Sequence, residues 1–166
     1  MSKCRGILNN GNECYINSAL QCLAVSPFIL NFINEYNEHD NNIIKIIKKY
    51  NLSTFKVNQI NIEANKLIKE KNTLNITEKE IEILKYISKN SYELFIYLVF
   101  KEITLNLNNN NPQVLSNKQF IAINREIADY FNFKELFNGE QNDPHELMVY
   151  LLDKIHDAKK IGIDIE

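Results

Sequence analysis

The sequence predicts a mainly α-helical fold of one domain, with a short β-strand expected at its C-terminal end. Three observations carry that expectation. Apolar residues recur three and four positions apart through much of the 166 residues, the spacing that gathers them on one helical face. Several of these runs open on a capping signal, a Ser, Thr or Asp followed three positions later by Glu or Gln. Hydrophobic residues make up 45% of the chain, enough for the core of one ordinary domain.

Residues 6–11 read as a loop, because Asn10-Gly11 is a strong turn signal. A helix is expected from about Cys14 to Leu23, with Asn12 as its cap. Ile16, Leu20 and Leu23 share one face of it, with Ala19 alongside. Pro27 marks a break or the first turn of a second helix, over 28–36, carrying Ile29, Phe32, Ile33 and Tyr36. Residues 39–42 are polar and read as a connection. Ile43, Ile46, Ile47 and Tyr50 then place a third helix. Asn and β-branched residues weaken any helix reading over 51–73. Thr77 and Glu80 form a capping box before Ile81, Leu84 and Ile87.

Residues 92–103 read as a buried helix, with a strand as the alternative over 96–100. The asparagine run 108–111 sets a loop within 105–112. Ser116 and Gln119 form a second box, ahead of Phe120, Ile123, Ile127 and Tyr130. A connector over 133–139 carries Phe133 and Phe137, both expected to be buried. The last helix has the clearest start: Asp143 caps, Pro144 takes the first position and Glu146 reaches back. Leu147, Tyr150, Leu151 and Ile155 form its apolar stripe. Residues 161–166 alternate apolar and acidic side chains and read as the start of a strand. No internal repeat is visible.

The net charge of -2, from 19 basic and 21 acidic residues, argues against bulk binding to nucleic acid or an anionic membrane. No 18-residue apolar run suggests a transmembrane helix, and the first twelve residues do not read as a signal peptide. An intracellular location, cytoplasmic or nuclear, is the expectation. The three cysteines are Cys4, Cys14 and Cys22. The odd count argues against a disulfide-stapled secreted domain, and three leave no four-cysteine zinc site.

Cys14 carries the chemistry. A thiol at a helix N-terminus meets unpaired amide N–H groups and the positive end of the helix dipole, which favour the thiolate. The same amides can stabilise a developing oxyanion. The Asn9 side-chain NH2, five residues earlier across a glycine-containing turn, can serve the same position. Gly11 permits a close approach of substrate or a backbone angle that other residues resist. Local physics alone leaves the bland alternative open, in which a lone cysteine near a helix start is a small buried hydrophobe. Cys4 and Cys22 take that bland reading outright, Cys22 lying on roughly the same helical side as Cys14 but deeper in the core. The histidines offer no obvious base. His39 sits in a polar segment, His145 near the start of the last helix and His156 near its end, and nothing in their flanks points to Cys14.

The run Gly6-Ile7-Leu8-Asn9-Asn10-Gly11-Asn12-Glu13-Cys14-Tyr15-Ile16-Asn17-Ser18-Ala19-Leu20-Gln21 resembles the cysteine box of ubiquitin-specific proteases, papain-like peptidases that remove ubiquitin. Far downstream, Phe137-Asn138-Gly139-Glu140-Gln141-Asn142-Asp143-Pro144-His145-Glu146-Leu147, with Leu151, Leu152, Asp153 and His156, resembles the family's Gln-Gln-Asp box and its helix. The resemblance implies that Cys14 is the nucleophile and Asn9 the oxyanion-hole side chain. Gln141 and Asp143 match the polar start of the second box. Glu13 departs from the usual threonine, Asn142 from a second glutamine and Leu147 from phenylalanine.

The resemblance also implies that residues 1–166 are the thumb-like N-terminal part of the catalytic domain. The palm, the fingers and the catalytic histidine with its Asp or Asn partner lie beyond the second box in this family. The expected function is cysteine-type deubiquitination, with this chain supplying only the nucleophile and the oxyanion residue. Its partners would be ubiquitin or ubiquitin-like conjugates, without nucleic acid or membrane, and the chemistry needs no metal or cofactor. The alternatives are an inactive shortened homologue that binds in the ubiquitin pathway, or a helical interaction module without protease ancestry.

Overall fold

The protein is described by a computed structural model over residues 5–35, 37–53, 56–109, 111 and 113–163, with the backbone alone described at 37–40 and 159–163. Seven α-helices run through the described residues: α1 Cys14–Ala24, α2 Pro27–Asn34, α3 Asn37–Lys49, α4 Val57–Lys69, α5 Glu78–Leu107, α6 Lys118–Tyr130 and α7 Pro144–Ile163. A 3-10 turn over Lys134–Phe137 precedes α7. The mainly α expectation holds.

The second half of α5 is the centre of the molecule. Every residue from Leu94 to Lys101 is buried, because α1, α3, α4, α6 and α7 all pack against this helix. Phe100, Ile96 and Leu107 have no exposed surface; truncating a phenylalanine so placed costs about 3–5 kcal/mol. The run over 96–100 is helical, as its length favours, and not a strand. α5 bends at Asn90, whose φ of -120° and ψ of 23° leave the helical region.

Side chains set several helix ends. Thr77 Oγ1 accepts from Glu80 N at 3.2 Å, the cap expected there, but the Glu80 carboxylate turns to Lys49 Nζ at 2.8 Å and to the Tyr50 hydroxyl, tying α3 to α5. α4, which fills the stretch that carried no sequence signal, has no cap of its own. Glu126 of α6 supplies one, accepting from Val57 N at 2.7 Å and Asn58 N at 2.6 Å. Three asparagines, Asn51, Asn75 and Asn132, take positive φ. At each, the following amide bonds back five residues, as in Leu52 N to Ile47 O at 2.9 Å and Phe133 N to Ala128 O at 2.7 Å. Asparagine tolerates that left-handed geometry better than most residues; Asn51 and Asn132 so follow the ends of α3 and α6, and Asn75 ends the turns after α4.

Several boundaries differ from the sequence expectation. Residues 39–42 belong to α3, and α5 continues through Leu107 into the segment read as a loop. Asn117, not Ser116, takes the N-cap of α6; Ser116 Oγ accepts from Lys118 N at 3.3 Å instead. Phe137 is buried, but Phe133 is 43% exposed. The expected terminal strand is absent among the described residues: α7 runs on to Ile163. Leu147, Leu151, Ile155 and Ala158, all buried, continue the helical stripe, and an alternating tail without a partner strand has nothing to pair with. Residues 164–166 lie outside the described residues, as do Cys4 and Tyr36. The one β-type pairing described is a parallel bridge between Ile7 and Leu115.

Candidate active site

The loop ahead of α1 is anchored at several points. Arg5 N donates to Leu107 O at 3.0 Å, Leu8 N to Leu115 O at 2.8 Å and Leu115 N to Gly6 O at 2.9 Å. Gln21 Nε2, from α1, donates to Arg5 O at 2.7 Å. Gly11 has φ +74°, and a Cβ there would meet nothing within 4 Å. The backbone angle, not crowding, is what favours glycine here.

Cys14 is the first residue of α1 and its side chain is exposed. It therefore stands where the helix's first amides lack intrahelical partners. Asn12 is not the cap. Glu13 takes that position without a side-chain cap bond, while Asn12 Nδ2 donates to Gly139 O at 3.4 Å. Asn9 is exposed in the anchored loop, five residues before Cys14.

The second motif comes to the same place. The Tyr15 hydroxyl, buried, donates to Leu136 O of the 3-10 turn, and burial raises its phenol above the ordinary value. Asn142 Nδ2 donates to Glu135 O at 2.8 Å and to Glu140 O at 3.2 Å, holding the loop ahead of α7. That loop presents Gln141 Nε2 to Cys14 Sγ at 4.0 Å. Asp143 caps α7 as expected, its Oδ1 accepting from His145 N at 2.9 Å; no reach-back bond from Glu146 is formed among the described residues. The proximity of Gln141 to the thiol was missed by the sequence reading, which placed it only as the polar start of a box. Two cysteine-protease-like boxes in one chain were the signal that their polar residues converge.

The family model for ubiquitin carboxyl-terminal hydrolases matches residues 5–161. The chain belongs to the ubiquitin carboxyl-terminal hydrolase family. A Drosophila melanogaster protein described as ubiquitin carboxyl-terminal hydrolase 16/45 is 42% identical over 38 residues, which are 23% of this chain and 3% of that protein's length. No solved structure matches the chain.

This hydrolase-family chain has three histidines and, among the described residues, a second cysteine. His145 and His156 are exposed on α7, and neither hydrogen-bonds to Cys14 among the described residues. His39 lies within α3. Cys22, expected deeper in the core, is exposed. The buried side of α1 is made by Tyr15, Ile16, Ala19, Leu20, Leu23 and Ala24, and Cys22 projects off that stripe. Among the described residues no three His, Cys, Asp or Glu side chains gather as a metal site, and no single helix is long and apolar enough to cross a membrane.

Proposed function

We propose that the chain provides the nucleophile side of a cysteine-type deubiquitinase acting at the C-terminus of ubiquitin or a ubiquitin-like protein. The observation that carries the reading is the exposed Cys14 at the start of α1, with the second-motif amide of Gln141 at 4.0 Å from its sulfur. On this reading the helical body is the thumb-like part of a larger catalytic domain. The Cys14 thiolate attacks the carbonyl of the C-terminal glycine, at an isopeptide or peptide bond. Asn9 and backbone N–H groups at the helix start hold the oxyanion. The leaving amine takes a proton, and water then hydrolyses the thioester. A histidine base belongs to the complete enzyme of this family; neither described imidazole side chain bonds to the thiol.

That last point favours a second reading, in which the chain binds ubiquitin-pathway proteins without turning them over. A ubiquitin probe carrying a C-terminal electrophile separates the two. The first reading expects an adduct at Cys14 that is lost in Cys14→Ser. Saturable ubiquitin binding without an adduct supports the second. An adduct at Cys22, or neither binding nor adduct, overturns both. Turnover of a fluorogenic ubiquitin C-terminal amide by this chain is expected to be slight. General acid–base assistance is worth about 10²–10⁴-fold. Robust turnover lost in both Cys14→Ala and one His→Ala variant would reveal a base within the chain.

A further inference from the structure

We propose that Asn117 is a positioning residue for the Cys14 site: one buried side chain that holds the residue before the thiol directly and, through Asn17, the loop that carries Asn9. The proposal rests on the reading of Cys14 as the nucleophile.

Asn117 occupies the N-cap of α6, where an asparagine ordinarily turns its side chain onto its own helix's first amides. It makes no such bond. Its Nδ2 crosses instead to α1, donating to Asn17 Oδ1 at 2.8 Å and to Glu13 Oε2 at 3.2 Å. The amide orientation follows from chemistry, because the Glu13 side-chain oxygen is the acceptor and the NH2 group must face it. The residue is 1% exposed, and its Oδ1 is buried without a partner. A cap has been diverted, and a buried acceptor left open, in favour of two bonds spanning about a hundred residues of chain.

Those bonds reach the site from two sides. Glu13 immediately precedes Cys14, and its carbonyl accepts from Asn17 N at 3.0 Å, closing the first turn of α1. Asn17 Nδ2 donates to Leu8 O at 3.4 Å, one residue before Asn9. Leu8 N is held by Leu115 O at 2.8 Å, two residues before Asn117. Cys14 opens this turn, where the first amides lack intrahelical partners, and Asn117 is the fork that ties the turn to α6. Glu13, where the family usually has threonine, is the side chain that makes one of the two bonds.

Site-resolved alkylation of the full chain with iodoacetamide tests this, with Cys22, exposed on the same helix, as the internal standard. Asn117→Ser restores a strong cap to α6 and so retains the fold. It is expected to lower the Cys14-to-Cys22 rate ratio by about 3–10-fold, the weight of a lost hydrogen bond or two. Glu13→Gln keeps an oxygen acceptor for Asn117 and should hold most of the ratio, whereas Glu13→Ala should lose it. Asn117→Ser added to Glu13→Ala should then lower the ratio further only in so far as the Asn17 bond acts alone. An unchanged ratio in a folded Asn117→Ser protein overturns the proposal. If that variant unfolds, equal ratios in Glu13→Gln and Glu13→Ala overturn it. Cys14 reacting no faster than Cys22 in the unaltered chain would instead overturn the nucleophile reading itself.

Discussion

Tyr15→Phe removes a single hydroxyl at the junction of the two motifs. Tyr15 is 4% exposed and its acceptor residue Leu136 is 7% exposed, so water cannot readily replace the bond. The ring's packing in the core survives the change. What is lost is one buried hydrogen bond, leaving the Leu136 carbonyl without its donor, a cost of about 1–3 kcal/mol. At a urea slope of about 2 kcal/mol per molar, a 2 kcal/mol loss lowers the unfolding midpoint by about 1 M. The slope itself should not change. The pH dependence gives a second handle. Burial raises the Tyr15 phenol above its ordinary 10.0. A group whose folded pKa is raised contributes fully below its unfolded pKa and loses that contribution as pH rises through the folded one. Phenylalanine has no such term, so the gap between the two proteins should be whole at neutral pH and narrow above pH 10.0. Urea melts followed by circular dichroism at neutral and alkaline pH measure both effects. A midpoint shift under about 0.2 M at neutral pH would refute the assignment of a stabilising bond. The loop that brings Gln141 to Cys14 hangs from the same 3-10 turn, so Cys14 alkylation should also change relative to Cys22.

Three further changes test other joints. Asp143→Ala should cost about 0.5–2 kcal/mol, the usual range for a lost cap, and an unaltered urea midpoint would mean that the Asp143–His145 bond contributes nothing. Glu126→Ala strips both amide acceptors from the start of α4; with one bond part-buried and charge-assisted, a loss of about 2–4 kcal/mol is expected, and a loss below about 0.5 kcal/mol would contradict it. Hydrogen bonds from Lys49 and then Tyr50 lower the Glu80 carboxyl below its ordinary 4.5. Its stabilising contribution is therefore present above that value and lost as pH falls through the lowered pKa; Glu80→Gln should be the less stable protein at neutral pH, with the difference closing in acid, and a pH-independent difference would argue against the ion pair.

Periodicity and local capping made much of the fold legible. The stripes of α1, α6 and α7 lie in the sequence, and the Thr77 and Asp143 caps form between near neighbours, so each can be read without knowing what lies across the core. The boundaries that shifted are those set by distant partners. α4 begins where Glu126 reaches it from α6, a bond spanning 69 residues, and nothing in the segment's own composition announces that. The polar 39–42 stretch joins a helix on the strength of the isoleucines that follow it. Asn51 and Asn132 take left-handed backbone just past the ends of α3 and α6, and Asn75 does so in the turns after α4.

The candidate site divides along the same line. Cys14 at a helix start was legible because a local pattern carries it, whereas Asn9 forms no hydrogen bond to Cys14 among the described residues. Cys22 was misplaced because its side of the helix was inferred from Cys14, and the thiol faces solvent and not the core. Gln141 and Asn117 reach the site through contacts spanning 127 and about a hundred residues. A polar side chain in a loop has no period, so sequence alone does not say which of many asparagines or glutamines will be turned inward. Burial supplies the distinction. Gln141 remains exposed beside the thiol, whereas Asn117 is buried against α1 and can act only through what it holds. The two polar residues that the fold brings to Cys14 therefore divide by access: Gln141 lies open beside the sulfur, and Asn117, on the proposal above, can only keep the turn that presents the thiol in place.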